Sequence, residues 1–597
     1  MFQNPDIEAR RANARAYWNA GRPDEAEALY RQVLALSPQD VGSMEGLGLI
    51  AVFRGDEVTA RRLYEEALRL EPSRHSAQIN LADILHNAGE QDEALKWVRR
   101  ALVQQPGNAL AHFLVGEIQR MRGDERACVK SYQTAIDLSP ELAAHIETIN
   151  SRRFNLNDWK GYERIVALLV KRIRSGQALW QPMMPMFLTD SAADQAVAAR
   201  AYAAERFPAS APMVQGQRPR GKRIRIGYLT STICDHPVAY VIAGVLERHD
   251  HDRFEVFAFS HSPPAQYPIM DRLVPSFEHL LDIGHLDDAA AAAEIARHDI
   301  DILVSLDGFT LGSRPGILAH RPAPVQVNYL GYPGSMGSPW MDYLVADRHV
   351  LPPAEVEHYD EKIAWMPHCY HAADDRAQIA TPGSRAEAGL PQEAFVFMAY
   401  NHTRKIDPGM FSRWMRILGR VKGSVLWLTG GSDEAAANLR AEAAARGISP
   451  ERLVFAQRLP DRAEHLARHR LADLFIDTAP YGAHSTALDA LWAGLPVMTC
   501  LGGAFPSRVC ASLLIEGGLP EMVTESLADY EALAVALAQD PVRLADLRRR
   551  VETHVRASPV FDTARYTRHL EAAFQAMFDA SQAGLAPRSF EVEAGVA

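Results

Sequence analysis

The sequence predicts a helical-repeat superhelix followed by two doubly wound parallel-sheet lobes, an α region ahead of an α/β region. Two observations carry this. Gly21, Gly55, Gly89 and Gly123 recur every 34 residues, and Pro38, Pro72, Pro106 and Pro140 keep the same step. From Ile224 onward, short β-rich runs alternate with helical stretches, in two successive blocks. Strands alternating with helices form parallel sheets covered on both faces.

Within each repeat a small residue falls where two helices cross: Ala26, Ala60, Ala94 and Cys128. Tyr30, Tyr64, Val98 and Tyr132 follow. This is the tetratricopeptide pattern, a helical hairpin with a glycine turn and a terminal proline. Such units stack into an open superhelix with a concave binding face. About four fill residues 1–142. Residues 143–223 stay helical but lose the period. They predict a cap for the array and, over PASAPMVQGQRPRGKR at 208–223, a Pro-, Gly- and base-rich linker.

IRIGYLT, FEVFAFS, DILVSLDG, PVQVNYLG and DYLVAD predict the strands of a first Rossmann-like lobe over 224–370. A linker at 371–394 leads to a second lobe over 395–540, marked by FVFMAYN, SVLWLTG, RLVFAQ, LFIDTA and PVMTC. Residues 541–580 read as helices and 581–597 as a disordered tail. Sheets of this kind bind ligands beyond the carboxyl ends of their strands, so the expected site lies between the lobes.

A chain of 597 residues is too long for one core. Its formal charge of −11 argues against a nucleic-acid binder, which needs a basic surface. No apolar run of membrane-spanning length appears, and the start MFQNPDIEARR lacks the apolar segment of a secretory signal. Cys128, Cys234, Cys369, Cys500 and Cys510 are scattered without CxxC spacing, which fits a reducing cytoplasm. No cluster has metal-ligand spacing: the DxD of His298–Asp301 leads straight into a strand and reads as structural.

Four stretches offer chemistry. In DTAPYGAHSTALDALWAGLPV, His484, Ser485 and Thr486 stand where a helix starts, and free amides there make an anion site. Asp489, in the first turn, would reach a ribose hydroxyl. An ordinary N-cap fits the same residues equally well. In YNHTRKIDP, Lys405, with Arg404 and His402 beside it, follows a strand, and a lysine there neutralises a leaving phosphate. A basic loop before a helix capped by Asp407 is the plainer reading. His236, in Asp235-His236-Pro237 after the first strand, would take a proton near neutral pH, although most histidines so placed do not. LGYPGSMGS at 330–338 puts bare backbone beside a ligand or simply makes a tight turn. His465 and Arg468 share a helical face, either for a base and phosphate or for solvent.

Taken together and in this order, these stretches resemble the protein O-linked N-acetylglucosamine transferases, with RIGYLTSTICDHP, RPAPVQVNYLGYPGSMG, KIDP and ADLFIDTAPYGAHSTALDALWAGLPV the most specific segments. That family joins tetratricopeptide repeats to a GT-B catalytic region of two Rossmann-like lobes. The resemblance implies inverting transfer of N-acetylglucosamine from UDP-GlcNAc to Ser or Thr of proteins, without metal or cofactor. It assigns Lys405 to the diphosphate, His484, Ser485 and Thr486 to the phosphate-binding helix, and Asp489 to the ribose. His465 and Arg468 fall to the uridine, and Leu330, Gly331 and Pro333 to the sugar. His236 matches a histidine proposed as catalytic base. Three departures stand out. His402 replaces a glutamine, Tyr481 replaces the cysteine that animal members carry near the N-acetyl pocket, and the long insert between the lobes is missing. The bulk of Tyr481 keeps a GDP-fucose-type protein O-fucosyltransferase open as an alternative, alongside a weakly catalytic nucleotide-binding scaffold. Expected partners are a UDP-sugar and protein acceptors along the repeat groove, with no nucleic acid or membrane.

Overall fold

The computed structural model describes residues 5–214, 223–262 and 266–595. The chain divides into two compact units: residues 1–149 with 160–168, and residues 150–159 with 169–597.

The first unit holds four helical hairpins among its described residues. They pair Pro5–Asn19 with Pro23–Leu36, Val41–Phe53 with Glu57–Leu70, His75–Asn87 with Gln91–Gln104, and Ala109–Arg122 with Glu125–Leu138. The repeated glycines turn at φ between 70 and 83°, a region closed to most side chains. Ala26, Ala60 and Ala94 are fully buried at the crossings, with Cys128 at 3 % exposure. Helix contact is close enough that a Cβ on Gly46 would sit 2.3 Å from the Tyr30 ring, and one on Gly116 2.6 Å from the Tyr132 ring. The tyrosines therefore fill space that the facing glycines vacate.

The second unit contains two parallel sheets. The first comprises β1 (Ile224–Thr230), β2 (Phe254–Ser260), β3 (His279–Asp282), β4 (Ile302–Ser305), β5 (Val325–Asn328), β6 (Tyr343–Asp347) and β7 (Lys362–Met366). The second comprises β8 (Val396–Ala399), β9 (Val425–Thr429), β10 (Leu453–Ala456), β11 (Leu474–Ile476), β12 (Val497–Cys500) and β13 (Val523–Thr524). A last strand, β14 (Phe590–Glu591), joins the first sheet. The orders are β14-β7-β6-β5-β4-β1-β2-β3 and β10-β9-β8-β11-β12-β13. Both run outward from a first strand in two directions, so each lobe has a switch-point crevice, at β1/β4 and at β8/β11. The central strands are almost wholly buried, as apolar runs such as FEVFAFS require, while the edge strands β3 and β14 are largely exposed.

Three sequence expectations change. The tail expected to be disordered over 581–597 is ordered in part: after the helix Thr563–Gln582 the chain pairs Phe590 with Ala364 and Glu591 with Trp365 on the edge of the first sheet, and residues 596–597 lie outside the described residues. The open edge of β7 offers backbone groups with which even this two-residue strand can pair. The linker expected at 208–223 is tied down over its first part, where Ser210 and Met213 donate their amides to Ala319 and His320. Residues 215–222 lie outside the described residues. The stretch 371–394 has no helix or strand, yet its start is anchored: Arg272 binds Asp374 and Arg248 binds Asp375.

Candidate active site

The loop after β8 carries Lys405. It forms a short 3-10 turn, Thr403–Lys405, and then Asp407 caps the helix Pro408–Arg420 by accepting the Met410 amide. Buried Asn157, in the left-handed region at φ 53°, donates to the carbonyls of Thr403 at 2.9 Å and Ile406 at 3.3 Å. Thr403 donates its hydroxyl to the Asn155 carbonyl at 3.1 Å. Residues 155–157 thus bracket the lysine from outside its lobe's own sheet.

The loop after β11 supplies the facing wall, and Asp477 organises it. Its carboxylate accepts the Thr478 and Ala483 amides, both at 2.7 Å, Asn401 Nδ2 at 2.9 Å and the Thr499 hydroxyl at 2.7 Å. Asn401 also accepts from the Thr486 hydroxyl at 2.8 Å, which ties the two loops together. The helix Ser485–Ala493 then begins at His484, whose side chain makes no capping bond. Its first amides and the positive end of its dipole are left for an anion.

Lys405 reaches the loop that leads into this helix. The Lys405 ammonium donates to the Gly482 carbonyl at 2.6 Å and lies 3.9 Å from the centroid of the Tyr481 ring. Burial pulls the lysine down to about 8, partly offset by the charge of Asp477. Burial likewise holds His484 well below the usual histidine range, with Lys405 adding to the effect, so its ring is neutral at pH 7. Its Nε2 lies 3.1 Å from the Pro506 carbonyl, which fixes the proton there.

Beside this cluster lies a cleft of about 360 Å³ lined by residues of both lobes, among them Asp235, His236, Tyr400, Arg462, His465, Arg468, Ser485, Thr486 and Asp489. Sequence reasoning missed Arg462. Its guanidinium grips both oxygens of Asp489, at 2.8 Å for Nη1 to Oδ2, and it stacks over the Tyr240 ring at 4.9 Å. Burial would raise the Asp489 carboxyl, but Arg462 outweighs it and holds it below the usual range. His465 Nε2 approaches the same carboxylate at 3.8 Å. Burial and the neighbouring His469 bring His465 down to about 3, so it meets a ligand uncharged. Arg468 spends Nη1 on the Gln457 carbonyl, while its buried Nε and Nη2 have no hydrogen-bond partner. Those donors suit the carbonyl edge of a base.

His236 departs from its expected role. It is the N-cap of the helix Pro237–Leu246, and its Nδ1 accepts the Val238 amide at 3.2 Å. That bond fixes the neutral ring with its proton on Nε2, so the free nitrogen offers the cleft a donor where a general base needs a lone pair. Burial lowers its pKa further, against the pull of Asp235. His402 departs too. It is exposed and caps the Thr403–Lys405 turn by accepting the Arg404 amide. Like Lys405, His484, Tyr481 and the Leu330–Pro333 turn, it is not among the residues lining that cleft.

Leu330, Gly331 and Pro333 form the turn after β5. Leu330 adopts φ 77°, and a Cβ on Gly331 would sit 2.0 Å from the Leu306 carbonyl oxygen. The buried Glu361 carboxylate holds the far side of the turn by accepting the Ser335 hydroxyl at 2.7 Å and the Met336 amide at 2.6 Å. Tyr332 of this turn and Tyr481 of the other lobe share one apolar cluster. The DxD aspartate Asp301 is spent structurally, on the Arg225 amide at 2.9 Å.

Two Rossmann-like lobes with a cleft between them, preceded in sequence by tetratricopeptide-type hairpins, are the architecture of a GT-B fold with an N-terminal repeat region. Residues 209–382 and 378–570 match glycosyl transferase family 41, and residues 11–59 and 54–109 match the tetratricopeptide repeat. The chain belongs to glycosyl transferase family 41. It is 35% identical over 378 residues to the probable UDP-N-acetylglucosamine–peptide N-acetylglucosaminyltransferase SEC of Arabidopsis thaliana, covering 62% of this chain and 39% of that protein. It is 26% identical over 490 residues to the UDP-N-acetylglucosamine–peptide N-acetylglucosaminyltransferase of Caenorhabditis elegans, covering 63% and 42%. The chain therefore matches about two fifths of the length of these relatives. Among solved structures it is similar to a mutant of the Thermobaculum terrenum O-GlcNAc transferase, with TM-score 0.62 and 27% identity, over 91% of this chain and 98% of that one.

Proposed function

We propose that the chain transfers N-acetylglucosamine, with inversion, from UDP-N-acetylglucosamine to Ser or Thr hydroxyls of proteins, the activity named for its relatives. The observation that carries this is the Lys405 ammonium on the Gly482 carbonyl, two residues before the N-cap of the uncapped helix Ser485–Ala493. Breaking a sugar–diphosphate bond builds negative charge on the leaving phosphate, and fixed donors aimed at that charge supply the main rate gain. In this reading Lys405 and the Ser485 and Thr486 amides hold the diphosphate and no metal ion is required. Asp489, kept ionised by Arg462, accepts the ribose hydroxyls, and Arg468 reads the base. The Leu330–Pro333 turn faces the sugar, with Tyr481 narrowing its pocket.

The acceptor hydroxyl loses a proton as its oxygen attacks. His236, with a donor on Nε2, serves better to orient a phosphate or acceptor oxygen, and a phosphate oxygen of the donor takes the proton. The repeat unit presents the acceptor protein. Five free cysteines support a reducing, cytoplasmic setting. No helix among the described residues is long and apolar enough to cross a membrane.

The direct test incubates the protein with UDP-N-acetylglucosamine and cell lysate and reads sugar on Ser or Thr by mass spectrometry, with and without EDTA. Thermal shift with UDP against GDP separates this donor from a GDP-sugar, since a ligand of the native state raises its stability. Stabilisation by GDP alone would overturn the donor assignment. His236→Asn keeps a helix cap and is expected to retain turnover within about tenfold. A loss on the order of 10²–10⁴ would restore the histidine as the base.

A further inference from the structure

We propose that Tyr481 is a positioning residue for Lys405: its ring face, held by side chains of both lobes, sets where the ammonium sits and keeps it protonated. This rests on the role given to Lys405 above.

The ammonium lies in a buried place without an anion of its own. Among the described residues Lys405 makes no ion pair within 4 Å; the charge of Asp477 acts on it from a distance. That carboxylate already accepts from two amides, Asn401 and Thr499. What faces the cation instead is one carbonyl, that of Gly482 at 2.6 Å, and the Tyr481 ring at 3.9 Å from its centroid. The difference matters for a transferase. A carboxylate would neutralise the lysine and compete with an incoming diphosphate. A ring attracts the cation through its quadrupole and leaves the full positive charge for the ligand.

The ring is fixed from several directions. Tyr481 is 7 % exposed and packs at 5.0 Å from the Phe187 ring and 5.1 Å from the His484 ring. It shares a buried cluster with Met186, Tyr332 and Met336. Its carbonyl accepts the Thr478 hydroxyl at 2.8 Å, which pins its backbone. The ring thus belongs by sequence to the second lobe, and its packing draws in Tyr332 and Met336 of the first lobe and Met186 and Phe187 of the helix Met184–Leu188. The lysine is held correctly only when the lobes meet as they do here.

The test separates a role for the ring's charge distribution from a role in packing alone. The full-length protein is prepared with Tyr481→Phe, Tyr481→Leu and 3,4,5-trifluorophenylalanine at position 481, the last keeping the shape but depleting the ring's negative face. Competitive acetylation of Lys405 across pH, read by mass spectrometry, reports its protonation without any substrate. Phenylalanine is expected to leave the lysine titrating near 8. The leucine and fluorinated variants are expected to lower it by about half to one and a half pH units and to cut kcat roughly 3- to 30-fold, the range of a desolvated cation–ring contact. An unmoved lysine in the fluorinated variant overturns the proposal, even if the leucine variant misfolds. Phenylalanine losing as much as leucine also overturns it. If Lys405 itself proves dispensable for turnover, the functional reading falls, and the acetylation profile still decides the contact.

Discussion

Removing the Lys405 charge should disable the enzyme without destabilising it. The substitution is Lys405→Met, which keeps the length of the stem. Loss of one donor aimed at developing charge costs on the order of 10²–10³ in turnover, roughly 2.7–4 kcal/mol. Stability should move the other way. Burial brings this lysine from 10.5 to about 8 in the native state. The native fold therefore holds the proton less tightly than the unfolded chain, and below pH 8 it bears the full penalty, about 3 kcal/mol. Between about 8 and 10.5 the native state loses its proton first, so wild-type stability rises with pH through that window. Methionine has no proton to lose and should show no such rise. The assay pairs UDP release, at saturating donor and acceptor, with thermal denaturation at pH 7 and pH 9.5. Expected are a variant at least as stable as wild type at pH 7, a stability gap that narrows at the higher pH, and turnover down by two to three decades. Turnover within tenfold of wild type would refute the catalytic assignment. A variant that melts well below wild type at pH 7 would show the lysine to be a structural element instead.

Other outcomes follow from the same geometry. The wild-type kcat/KM profile should fall above about pH 8 as free-enzyme Lys405 deprotonates, and the limb in kcat should lie higher because bound diphosphate favours the charged form. Arg462→Met strands the buried Asp489 carboxylate, with an expected loss of about 3 kcal/mol in denaturant unfolding and a raised donor KM, worst at acid pH. The double variant with Asp489→Leu should recover part of that stability, and simple additivity would argue against the pairing. Gly331→Ala forces a methyl onto the Leu306 carbonyl, 2.0 Å away, so the turn must shift. Sugar transfer should drop while UDP binding, measured by calorimetry, stays close to wild type.

Much of this molecule was legible because its signals are local. The 34-residue step marks each hairpin, and alternating apolar runs mark each lobe. The helix-tip residues His484–Thr486 and the turn around Lys405 announced themselves by glycine, hydroxyl and proline placement. Arg462 was readable in part: it precedes His465 and Arg468 at a step of three along one helical face, yet its partner Asp489 lies 27 residues on. Asn157 was invisible, since its target Thr403 is 246 residues away and nothing near it suggests a clamp. His236 carried its own correction. A residue just before a proline at a helix's first position is an N-cap candidate, and a cap's acceptor nitrogen is not free to act as a base. The tail failed because two strand residues in a polar, glycine-containing run give no periodicity, and only an open sheet edge recruits them.

That edge has a consequence for biosynthesis. The sheet beginning at Ile224 receives its outermost strand from Phe590 and Glu591, and its buried His249 and Tyr329 find partners in Glu571 and Tyr566 of the helix Thr563–Gln582. Between these pieces the ribosome must deliver an entire Rossmann lobe. The earlier lobe therefore waits, unfinished and with a bare flank, until the later one has emerged. Maturation of the cleft becomes a single event for the pair, and a nascent chain stalled before residue 563 would expose the waiting flank to chaperones or to its own kind.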